Sequence, residues 1–110
     1  MNSFKKKFFF IFFACSFFIF VPLLAKANNE NGEFLYAENC AECHSLSLRG
    51  SSHGNELIGR IFLEKWQDKF ELLFSVIANT MPPGNNHKIS NSDYLEILSY
   101  ILDKNNIKDI

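Results

Sequence analysis

The chain of 110 residues carries 11 Lys and Arg against 12 Asp and Glu, which gives room for one small domain and no more. Nine of its thirteen phenylalanines lie at or before Phe20, so the whole-chain aromatic content misdescribes the part that folds. From Asn28 to Ile110, 83 residues, seven Lys and Arg face twelve Asp and Glu, a formal charge of −5. That balance argues against nucleic acid as a partner and allows a basic docking patch on one.

The front of the chain reads as a secretory signal. Lys5, Lys6 and Lys7 form a basic start, Phe8 to Leu24 is almost entirely apolar, and Ala25-Lys26-Ala27 offers small residues at the two positions a signal peptidase reads. Residues 1–27 are therefore expected to be removed, leaving a periplasmic domain over 28–110. An uncleaved anchor is the alternative, although seventeen apolar residues are short for a span and Pro22 interrupts them. If cleavage occurs, no stable membrane anchor remains. Cys15 lies inside the apolar run and goes with it.

Asn28 to Gly32 is polar and reads as a frayed end. Glu33 to Asn39 suits a short helix running into the next stretch. That stretch, Cys40-Ala41-Glu42-Cys43-His44, has the attachment pattern for c-type haem. Each sulfur adds to one vinyl group along the same edge of the macrocycle, and the next residue offers its imidazole to the iron. A redox dithiol would need the strands of a βαβ unit, which the pattern lacks. A four-ligand zinc site would have only His53 and His87 to draw on. Glu38 and Glu42 beside the thiols read as solvated.

Ser45 to Gly54 is Ser- and Gly-rich and reads as a loop. A helical turn is expected at Ile61 to Trp66. Asp68 and Glu71 have capping-box spacing at the start of a helix from Lys69 to about Asn79, with Leu72, Leu73, Val76 and Ile77 expected on one face. It must stop before Pro82-Pro83-Gly84. Ser90 and Asp93 open a last helix, Asn91 to about Lys104. No strand pattern and no repeat is visible. The expected class is all-α: three main helices, with loops long enough to wrap a cofactor.

A second axial ligand belongs late in the chain, and Met81 is the candidate. Pro82 and Pro83 have no N–H and a fixed φ, so they hold the preceding thioether in an extended segment. The other methionine is Met1, which leaves with the signal. His53 is only nine residues from His44 in a flexible-looking loop, and His87 follows a turn; both read as surface histidines.

Together, Gly32, Tyr36, the haem stretch, Met81-Pro82 and a terminal helix with Tyr100 resemble class I c-type cytochromes. The resemblance implies that Gly32 lets the first and last helices cross closely, and that Tyr36 packs on Tyr100. Gly59, Phe62, Trp66, Leu72-Leu73-Phe74, Thr80 to Gly84, and Ser90 to Leu102 are similar to the small cytochromes found with quinoprotein (PQQ-dependent) dehydrogenases. In this family the segment after the haem stretch usually reads Gly-Pro-x-Leu-x-Gly, and its proline carbonyl accepts a hydrogen bond from the proximal imidazole. Here it reads Gly54-Asn55-Glu56-Leu57-Ile58-Gly59. A carbonyl at Asn55 can still accept, in a loop expected to be less rigid. Trp66 matches a position at the haem edge that can donate to a propionate; a half-buried core tryptophan fits as well.

The expected function is one-electron transfer on haem c, with Cys40 and Cys43 as covalent links and His44 and Met81 as axial ligands. Donor and acceptor would be redox proteins: a dehydrogenase on one side, an oxidase or another cytochrome on the other. The alternative is a haem enzyme or gas sensor in which peroxide or a diatomic ligand displaces Met81. That chemistry usually wants a distal base or arginine, and Arg49 and Arg60 belong to the proximal half of the chain.

Overall fold

The last helix carries most of the core. A computed structural model describes residues 29–84 and 88–108, so the expected signal segment 1–27, Cys15 and His87 lie outside the described residues. Five helices appear among them: α1 Glu30–Asn39, α2 Ala41–His44, α3 Arg60–Trp66, α4 Phe70–Thr80 and α5 Asn91–Lys104. The described residues contain no strand, only an isolated antiparallel bridge between Ser51 and Gly54. The expected all-α class is what is found. None of these helices is long and apolar enough to cross a membrane.

α5 has the bounds its periodicity predicts. Ser90 is extended at its N-cap and its side chain accepts from the Asp93 N–H, filling one of the orphan donors of the first turn. Tyr94, Ile97, Leu98, Tyr100, Ile101 and Leu102 are buried along it, and the spacing of three and four residues makes them one continuous stripe. The helix ends in a Schellman motif: Asn106 is left-handed at φ 64°, its N–H reaches Asp103 O, and that of Ile107 reaches Leu102 O.

α1 and α4 both pack on α5. The α1 contact depends on Gly32, which is buried and within the helix. A Cβ there would meet the Glu96 carbonyl and stand 2.9 Å from Tyr100 Cβ, so only glycine allows this approach. One turn on, Tyr36 is buried, with its ring centroid 5.4 Å from that of Tyr100 at 47°, within the range of favourable tilted aromatic pairs. Its hydroxyl donates to Ser45 O at 2.7 Å. Thus one tyrosine ties α1 to α5 and to the loop after α2. α1 also begins three residues before the expected Glu33, because the polar stretch that reads as a frayed end includes this buried glycine.

One expectation fails. The capping box at Asp68 does not form: α4 begins at Phe70, its N-cap is Lys69, and no side chain caps it. Only three residues join α3 to α4. The Lys69 N–H returns to Trp66 O, and the reversal puts Asp68 at φ 66°, away from the extended backbone a capping side chain requires.

Candidate functional site

The chain turns from α1 into α2 without a linker. The Cys40 N–H closes α1 on Tyr36 O, and the His44 N–H then bonds Cys40 O. This single turn presents Cys40, Cys43 and His44 to one cavity of about 510 Å³, within the range of roughly 300–1,000 Å³ typical of cofactor pockets. α3, α4 and α5 complete the wall: Phe62, Leu73, Val76, Ile97 and Ile101 line it. Met81, at the C-cap of α4 with extended backbone, lines the same cavity, as do Pro82 and Pro83. The Met81 carbonyl accepts from the Tyr94 hydroxyl, which fixes this segment to α5.

The proximal side is defined by a hydrogen bond. Nδ1 of His44 is 2.6 Å from the backbone carbonyl of Asn55. A carbonyl only accepts, so Nδ1 carries the proton and the Nε2 lone pair is the one available to a metal. The contact is therefore made without a proline ring at position 55. Gly54 makes the approach possible, since a Cβ on it would lie 2.7 Å from Cys43 O and 3.0 Å from His44 Nδ1. The loop itself is tied down throughout: Ser45 Oγ donates to Gly50 O at 2.7 Å, Ser51 Oγ to Cys43 O at 2.6 Å, and the Leu57 N–H to Leu48 O at 2.7 Å.

The Cys40 thiol is unlike that of a reactive dithiol. Burial pushes Cys40 up to about 11, and Cys43 beside it adds to the shift, whereas a reactive cysteine is held low by nearby positive charge. Among the described residues no group of three or more His, Cys, Asp or Glu side chains is placed to hold a metal ion. Two thiols, a correctly protonated imidazole and a thioether around an apolar hollow are instead the donor set that c-type haem uses.

Trp66 is half-buried, lines the cavity and packs against the core. Lys65 also lines the cavity and lies over the Trp66 ring at 5.1 Å. His53 is exposed, as are Glu38 and Glu42. Arg49 and Arg60 are not among the residues lining the cavity. Two residues behind the site carry no local signal in the sequence. Leu48, in the Ser/Gly loop, is only 2% exposed, and Asn105, beyond the last apolar residue of α5, is 8% exposed.

Residues 27–101 match the family model described as cytochrome c oxidase, cbb3-type, subunit III. The chain belongs to this family. No curated protein and no solved structure matches it. The family is a haem c-binding one, so the chain is a class I c-type cytochrome that carries haem c and works in haem-based electron transfer. The match gives no link to quinoprotein dehydrogenases.

Proposed function

We propose that this cytochrome is a periplasmic one-electron carrier with a His44/Met81-ligated haem c, working between a dehydrogenase and the respiratory chain. The observation that carries the reading is the meeting of Cys40, Cys43, His44 and Met81 on one cavity, with His44 Nδ1 already committed to Asn55. Bound haem c supplies reversible one-electron exchange at its iron, and a thioether ligand raises the potential.

The chain's own residues do the rest. Cys40 and Cys43 would hold the group by two covalent links, which would keep it from being lost in the periplasm. The Asn55 carbonyl keeps the His44 ring oriented and its Nε2 free to ligate. Met81, on a segment anchored by Tyr94, would supply the second ligand and so leave the iron no open position for a substrate. Leu73, Val76, Ile97 and Ile101 give the cavity an apolar wall. The basic start and apolar run before Ala27 support export, and the acidic charge of residues 28–110 favours partners with a basic docking patch. Neither Arg49 nor Arg60 lines the cavity, which is why the carrier is preferred to an enzyme or gas sensor.

The test is a sequence of two measurements. Protein made with haem-attachment machinery is denatured and examined for covalently bound haem, then titrated in its native state with the ferric spectrum recorded. Covalent haem and a low-spin ferric form with the weak sulfur-to-iron band are expected. A high-spin ferric form that binds cyanide at once would overturn the carrier reading.

A further inference from the structure

Asn105 has no part in the cavity, yet its side chain is committed to the loop that steadies His44. It sits at the C-cap of α5 and is 8% exposed. Its Oδ1 accepts from the Gly59 N–H at 2.9 Å. Its Nδ2 donates to Leu57 O at 3.0 Å and to Ile101 O at 2.9 Å. Two of these three bonds cross more than forty residues of sequence, from the end of the chain to the segment just after Asn55.

We propose that Asn105 is a positioning residue for the proximal imidazole: by clamping Leu57 and Gly59 it holds the Asn55 carbonyl that accepts from His44. The inference rests on the haem-site reading above. Leu57 is two residues from Asn55, and a single intervening residue leaves little slack between a fixed carbonyl and its neighbour. On its other side Leu57 is held by Leu48, whose side chain is buried. The segment is thus gripped by α5 and by the loop after α2. Where a proline ring would stiffen the backbone at position 55 directly, this chain stiffens it from two residues away. Gly59 fits that role, because its φ of 96° is open to glycine and its N–H is the donor Asn105 receives.

Asn105 also bonds Ile101 and so could serve only to finish α5. The two roles separate in the holoprotein. The hydrogen bond to a carbonyl raises the basicity of the imidazole and favours the ferric iron, so loosening it raises the midpoint potential. It also exposes the Nδ1 proton to solvent, which proton NMR of the ferrous state reads as faster exchange with deuterium. In Asn105→Ala both changes are expected, with exchange faster by about tenfold, the protection that one neutral hydrogen bond provides. Ser90→Ala, which removes the cap at the other end of the same helix, is expected to leave both unchanged. If Asn105→Ala does not fold with haem, Asn105→Ser, which keeps one donor and one acceptor, is measured in its place with the same expectation. Exchange and potential equal to those of the wild type would overturn the proposal and leave Asn105 a helix cap. A wild-type chain without covalent haem would overturn the site reading instead, and this inference with it.

Discussion

Gly32 lies so close to Tyr100 that a methyl group on it would stand 2.9 Å from the Tyr100 Cβ, and closer still to the carbonyl of Glu96. Both obstacles are backbone or the first side-chain carbon, so neither can swing aside. Gly32→Ala would gain up to about 1 kcal/mol of helix propensity, but α1 must move off α5 to accept it. Overpacking of this kind costs about 1–3 kcal/mol, and here the Tyr36–Tyr100 pair and the Tyr36–Ser45 bond move with the helix. A net loss of stability is expected in urea unfolding of the holoprotein. Equal or higher stability would mean that the helices can part without cost.

Met81 is anchored through its backbone carbonyl by Tyr94, which a change of side chain leaves in place. Met81→Ala should therefore keep the segment and the covalent haem while removing the thioether. The expected result is loss of the sulfur-to-iron band, cyanide binding by the ferric form, and a potential lower by roughly 100 mV or more, since axial ligands set haem potentials over about 0.8 V. An unchanged spectrum and potential would identify another residue as the sixth ligand.

Burial holds the Tyr36 phenol well above its usual range, with smaller contributions from Cys40 and Tyr100; Tyr100 is raised by burial and then by Glu33. Once haem is attached Cys40 has no thiol to ionise, but burial, the largest cause, remains. The unfolded phenols titrate near about 10, so above that pH the folded chain retains protons that the unfolded one has released. This stability is complete below about pH 10 and is lost as the pH climbs towards the folded values, by at most about 1.4 kcal/mol per pH unit for each group. Tyr36→Phe should cost about 1–3 kcal/mol at neutral pH, because Ser45 O loses its partner. It should also make the alkaline decline shallower. Urea midpoints between pH 7 and 11.5 test both, and an equally steep decline in the variant would remove Tyr36 as its source.

What could be read in the sequence follows from how local each cause is. The haem stretch is legible because two sulfurs and an imidazole must lie within five residues, and Met81 because two prolines fix its backbone. α5 is legible from its stripe and its cap. Gly32 and Tyr36 were found only through resemblance, since nothing in their own neighbourhood reports a helix lying against them. Leu48 and Asn105 were missed for a related reason. Each looks like an ordinary loop residue, yet Leu48 packs its side chain into the core cluster and Asn105 is bonded to Leu57 and Gly59, more than forty residues away. The failure at Asp68 is the converse, a correct local pattern overruled by the tight return from α3 to α4.

Ser90 and Asp68 offer a direct comparison, since both stand three residues before an acidic side chain at the start of a helix and only one caps it. Ser90 is extended and accepts from the Asp93 N–H at 3.1 Å. Replacing it by alanine leaves that N–H to water and should cost about 1 kcal/mol. Asp68 has φ 66°, a conformation in which a side chain with a Cβ costs roughly 1–2 kcal/mol relative to glycine, less for Asp. Asp68→Gly should therefore be neutral or slightly stabilising, where loss of a working cap together with added chain entropy would destabilise. Urea unfolding of the two holoproteins at neutral pH distinguishes these outcomes. A loss at Asp68→Gly as large as that at Ser90→Ala would show that Asp68 caps α4 in solution after all.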